Sequence, residues 1–96
     1  MIINVLGHDI SVIPDVDDKN NYGEFHGGIC EHRICVRSDM TKKEQDYVLL
    51  HEIIHAILHI TGVNCMLTDE VEETVVKAVS QELFSIGYRL RRPRTV

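Results

Sequence analysis

From Thr41 to Ile60 the chain has neither glycine nor proline. Its apolar positions there, Val48, Leu49, Leu50, Ile53, Ile54, Ala56, Ile57, Leu58 and Ile60, cover nearly every direction around a helix axis. The spacing predicts a helix over 41–60, and a helix apolar all round is a buried one. Thr41 with Glu44 three residues on forms a capping box, and Gly62 is placed to cap the far end. A second helix is predicted over 69–86, with Thr68 or Asp69 as N-cap, four acids at 69–73 against its positive end, and Gly87 as its stop. Its apolar stripe reads Val75, Val76, Val79, Leu83 and Ile86, which are expected to face the first helix.

Before residue 41 the period is shorter. The runs 2–6 and 10–13 are β-branched and flank Gly7-His8-Asp9, a hairpin or two successive strands, with Pro14 expected to stop the second. Residues 15–21, DVDDKNN, read as a polar loop whose acids lack the glycine and closing glutamate of a calcium loop. Two further short strands are predicted at 22–30 and 33–37. One α+β domain over 1–88 follows, a small, mostly antiparallel sheet packed on two helices, with 89–96 as a basic tail.

Composition narrows the function. Ninety-six residues, 44% apolar and 26% charged, suit a single small folded domain. A net charge of −5 excludes a general nucleic-acid binder and sets the expectation of no direct nucleic-acid contact. The charge is uneven: residues 1–88 carry six basic against fifteen acidic residues, while Arg89, Arg91, Arg92 and Arg94 make the tail +4. That tail is a basic arm for an acidic partner or a frayed, solvated end. No apolar run approaches the roughly 18 residues that span a bilayer, and no signal-peptide pattern opens the chain. Cys30, Cys35 and Cys65 fit free thiols in a reducing cytoplasm, and CEHRIC lacks the spacing of a metal half-site.

Within the apolar helix stands His51-Glu52-Ile53-Ile54-His55, the HExxH pattern. Four residues apart, two helical side chains point the same way from Cα atoms about 6 Å apart, so both imidazoles reach one tetrahedral zinc ion. Glu52, turned by about 100°, lies off that row and can act as general base on the water such an ion activates. The chain's own His and Glu content makes about 0.03 chance matches expected. Three polar groups in the most apolar segment need partners, which a metal supplies.

A catalytic zinc takes three protein ligands. His59 is about 12 Å from His51 along one helix, too far to share the ion, and reads as a supporting or cleft-lining residue. Glu72, on the row of Val75, Val76 and Val79, is the preferred third ligand. Glu73, about 100° away, is the reserve. Asp69 and Glu70 are explained as first-turn charges.

The segments DYVLLHEIIHAILHITGV and LTDEVEETVVKAVSQELF resemble the gluzincin metallopeptidases, in particular small ImmA/IrrE-like and phage-encoded zincin domains. The resemblance covers about residues 22–86. It implies a zincin-like fold, one zinc ion per chain held by His51, His55 and Glu72 or Glu73, and Glu52 as general base. It also implies that Tyr22-Gly23-Glu24-Phe25 and Ile34-Cys35-Val36 are the strands before the zinc helix, one edge of which takes an extended substrate. The expected activity is hydrolysis of a cytosolic peptide or protein, phage regulatory proteins included, with any regulation acting through a separate repressor or partner chain. Tyr47, His26 and His59 are the candidates for stabilising the oxyanion. Two other classes compete: a non-catalytic zinc-binding interaction module, and a purely structural zinc, which would not need Glu52.

Overall fold

A computed structural model of the chain describes residues 1–15, 23–27 and 32–88. The polar loop beyond Asp15, Cys30, the Arg-rich tail and the His26 side chain lie outside the described residues. Strands β1 (Ile2–Val5), β2 (His8–Asp15), β3 (Gly23–Gly27) and β4 (His32–Arg37) precede helices α1 (Lys42–Thr61) and α2 (Asp69–Ser85), the helices being joined through a 3₁₀ turn at Val63–Met66. The α+β class is as expected. The strands form one four-stranded sheet in the order β1-β2-β4-β3.

The β1–β2 and β3–β4 pairs are antiparallel, but the central pair, β2–β4, is parallel, so the sheet is mixed. Pro14 does not stop β2; it pairs with Val36. The reason lies in the alternation of N–H directions along a strand. Val12 N donates toward β1, to Met1 O at 2.8 Å, so the Pro14 nitrogen, two residues on, faces the same side. There β1 pairs no further among the described residues, and a missing N–H costs no ladder bond.

Alternation in the sheet puts Val5, Ile10, Ile34 and Val36 on one buried face, where they meet Leu49 and Ala56 of α1. Val48, Ile53, Ile60 and Met40 close the edges of this cluster. The start of α1 is set by local chemistry: Thr41 Oγ1 accepts from Glu44 N at 3.2 Å, and Glu44 Oε2 accepts from Thr41 N at 3.4 Å. Gln45 donates to the carbonyls of Ser38 and Met40, tying that end to the segment leaving β4. Gly62, at φ 78°, ends the helix in the left-handed conformation that glycine adopts freely.

α1 is buried from two sides rather than all round. The sheet covers one side through β1, β3 and β4, α2 covers another, and Ile57 and His59 remain exposed. α2 begins, as expected, with Thr68 capping Val71 N. Its contact face keeps Val76 and the half-buried Leu83 of the expected stripe but leaves out Val75, Val79 and Ile86. Val76 and Ser80 are fully buried, whereas Val71, Val75 and Val79 are each more than 40% exposed and Ile86 is 71% exposed. At about 100° per residue the row Val76–Ser80 lies roughly a quarter turn from the row Val75–Val79. What turns it is polar: α1 presents imidazoles to α2, and buried imidazoles need hydrogen-bond partners that valines cannot provide. Among the described residues no helix is long and apolar enough to cross a membrane.

Candidate metal centre

His51 and His55 lie one turn apart on α1, with ring centroids 5.0 Å apart. Each ring has its two nitrogens in different surroundings. At His51, Nδ1 lies 3.4 Å from Ser80 Oγ, and Nε2 lies 3.0 Å from Glu73 Oε1. At His55, Nδ1 lies 2.6 Å from Glu72 Oε2, and Nε2 lies 3.0 Å from Glu73 Oε2. One carboxylate of α2 thus spans the two Nε2 atoms, while both Nδ1 atoms face other groups.

Adjacent positions on a helix diverge by about 100°. Here that divergence puts Glu72 and Glu73 on opposite edges of the His55 ring. Glu72, with 13% of its side chain exposed, accepts the Nδ1 proton from inside the helix pair; Glu73, 56% exposed, faces outward. Ser80 Oγ donates to Val76 O at 2.7 Å, which leaves its lone pairs available to His51 Nδ1–H. In the chain as it stands each Nε2 faces a Glu73 oxygen; with a metal ion there instead, Glu72 and Ser80 would hold the proton of each ring on Nδ1 and leave Nε2 as the ligand atom, the arrangement that orients metal-binding histidines.

Glu52, 8% exposed, lies beside this point with Oε2 4.0 Å from His51 Nε2. Ligand atoms of His51, Glu52 and His55 lie within 4.8 Å of one another, so the group could hold a metal ion. Burial lowers the His51 pKa, as do the charges of His55 and Lys77, against an opposing pull from Glu73. The net direction favours the neutral ring, the form a metal requires.

The other sequence candidates separate in space. His59 Nε2 is 3.8 Å from Glu72 Oε2 and its Nδ1 is 3.4 Å from Asn64 Nδ2, so it stands behind His55 on the Nδ1 side. Tyr47 packs edge-on against Phe84 of α2, centroids 5.3 Å apart. The pair lines a cleft of about 840 Å³ that reaches His51, Glu52 and Glu73. Neither Glu72 nor His59 lines it. Sequence reasoning missed Ser80, a small polar residue whose only signal was its place one turn beyond Val76 on a helix meeting two histidines.

No family model, curated protein or solved structure matches the chain. What the centre can do is read from its own atoms.

Proposed function

We propose that the chain is a zincin-like, zinc-dependent peptidase in which His51, His55 and Glu73 are the metal ligands and Glu52 is the general base. The observation that carries the reading is the convergence of two imidazole Nε2 atoms on one carboxylate, with each Nδ1 separately occupied. Ligands about 2.1 Å from a tetrahedral zinc are separated by roughly 3.4 Å. The two N···O separations of 3.0 Å are made with different oxygens of Glu73, so that carboxylate would turn toward an ion admitted between the rings. Two imidazoles and a carboxylate are also the donor set of a catalytic zinc, which keeps a position open.

This assignment moves the ligand role from Glu72 to its reserve. Glu72 is on the wrong ring edge: the Nδ1 and Nε2 lone pairs of one imidazole diverge, and only the Nε2 atoms converge. Glu72 instead polarises His55 through Nδ1–H, the work of a supporting carboxylate.

When bound, zinc supplies Lewis acidity, making water more acidic and polarising a carbonyl. The remaining work belongs to the chain. Glu52 takes the proton from the attacking water and returns it to the leaving amine, a contribution of about 10²–10⁴ in rate. Its burial shields the transfer from bulk solvent. Tyr47, the described oxyanion candidate that lines the cleft, can offer its hydroxyl to the developing charge. β3, antiparallel at the edge of the sheet and packed on α1, has one side to which an extended substrate can add.

Glu52→Gln tests the reading against a non-catalytic zinc module. Wild type and variant are co-expressed with candidate cytosolic repressors, products are identified by mass spectrometry, and metal content is measured on protein purified without added zinc. The expectation is about one zinc per chain in both, with cleavage by wild type alone. Cleavage unchanged in the variant refutes the role of Glu52. No transition metal in wild type, with His51→Ala behaving identically, refutes the whole reading.

A further inference from the structure

The cleft beside the metal centre has a composition of its own. Its apolar wall is Met40, Tyr47, Val48 and Phe84, and its charged lining includes Lys43 and Lys77. Three carboxylates also reach it, and each is engaged: Glu44 in the α1 capping box, Glu52 beside His51, and Glu73 on both imidazoles. The lysines are different. Among the described residues no carboxylate lies within ion-pair distance of either. Lys77 stands one turn after Glu73, where an i,i+4 pair forms readily, yet Glu73 directs its oxygens to the rings. A metal ion there would engage Glu73 further. In a chain of net charge −5, two cations without an ion-pair partner among the described residues therefore line the cleft that leads to the site, one from each helix.

We infer that this cleft selects a peptide carrying an apolar side chain next to a carboxylate, the side chain lying against Tyr47 and Phe84 and the carboxylate facing Lys77 and Lys43. The inference rests on the peptidase reading for what happens at the metal, but selection by the cleft is a separate property. The aromatic pair bridges α1 and α2 and offers the apolar surface that a bulky side chain covers. The lysines supply charge complementarity, which discriminates against neutral and basic peptides more than it adds to affinity. A carboxylate can come from an Asp or Glu side chain or from a C-terminus, and the chemistry at Lys77 is the same for both.

The test uses zinc-loaded protein and a positional-scanning library of hexapeptides in two forms. One is acetylated and amidated with Glu, Gln or Lys beside a Leu or Phe; the other, with Gln in place of any internal acid, ends in a free carboxylate or its amide. Cleavage is read by mass spectrometry with wild type, and binding by titration of the Glu52→Gln variant. In either readout the acid-bearing peptides are expected to be preferred over their Gln counterparts by about fivefold, the scale of a partly exposed ion pair. Lys77→Glu is expected to invert the ratio toward Lys-bearing peptides, and Lys43→Gln to reduce it. The library form that shows the preference identifies the source of the carboxylate.

Equal treatment of acidic and neutral peptides by wild type overturns the inference, as does an unchanged ratio in Lys77→Glu. Cleavage without preference leaves the peptidase reading standing and removes this one. Acid-selective binding without cleavage does the reverse. Lys77 is exposed, and a thermal melt checks that its replacement leaves the fold in place.

Discussion

Exchanging each of the two adjacent glutamates for glutamine, one at a time, isolates the difference between holding an ion and holding a ligand. Glu73→Gln replaces the carboxylate that spans both Nε2 atoms at 3.0 Å with a neutral amide. Zinc sites with four protein ligands reach about 10–16 kcal/mol in total, so one ligand accounts for about 3 kcal/mol, or roughly 100- to 1000-fold in affinity. Glu72→Gln keeps a carbonyl oxygen able to accept from His55 Nδ1–H at the same place, 2.6 Å in the native chain. What it loses is the charge assistance of that bond, which puts its effect near the lower end of the 10- to 100-fold range for groups that support a ligand. Zinc affinity is read by competition with a chromophoric chelator at pH 7.5, with far-UV dichroism and a thermal melt of each apo variant to show that the fold is intact. The loss for Glu73→Gln is expected to exceed that for Glu72→Gln by about tenfold. Equal losses, or a larger one for Glu72→Gln, refute the assignment built on ring edges and return the ligand role to Glu72.

Other outcomes follow from the same contacts. An ion held between α1 and α2 stabilises only the folded chain, so at a hundredfold excess over its dissociation constant it adds about 2.7 kcal/mol; chelation should lower the melting temperature by roughly 10–20 °C. Because burial depresses the His51 pKa in the fold, the unfolded chain takes up that proton first as pH falls. The apo protein should hold this contribution to its stability above about pH 6.5 and lose it on acidification, a slope that denaturant titrations of His51→Gln should show reduced, with Glu73, His55 and Lys77 setting the rest of the local field. The β1–β2 hairpin turns through Leu6 and Gly7, both at positive φ, 51° and 84°, a two-residue loop that favours Asn first. Leu6→Asn should raise stability by about 0.5–1 kcal/mol in a thermal melt and leave zinc affinity unchanged; a loss of stability would refute the turn assignment.

The parts of the fold that were legible in sequence are those decided within a few residues. Thr41 with Glu44, Gly62 and Thr68 fixed the helix ends because a cap is a contact between near neighbours. The parallel pairing of β2 with β4 was not legible, since nothing local distinguishes it from the antiparallel alternative. Pro14 within β2 has a related reason: whether a missing N–H matters depends on which neighbour that side of the strand meets, and among the described residues Pro14 meets none there. Leu6 carried no turn signature because the glycine beside it drew the reading to Gly7-His8-Asp9.

At the site, the HExxH spacing was legible because one helix turn places both imidazoles together. Which nitrogens Glu72 and Glu73 would meet was not, because that depends on how α2 is rotated against α1. Hydrophobicity alone ranked the row through Val75 and Val79 as the inner face and so favoured Glu72. That ranking treats the facing helix as apolar. α1 instead offers two imidazoles, each with two nitrogens to satisfy, and burying those unpaired costs more than leaving three valines partly in water. The rotation that resolves this places Val76 and Ser80 at the centre and divides the two glutamates, one to each edge of His55. On this account the exposed valines of α2 and the convergence of the Nε2 atoms have one cause. A chain with His51 and His55 replaced by leucines, if it still folds, should turn its second helix back toward the valine row.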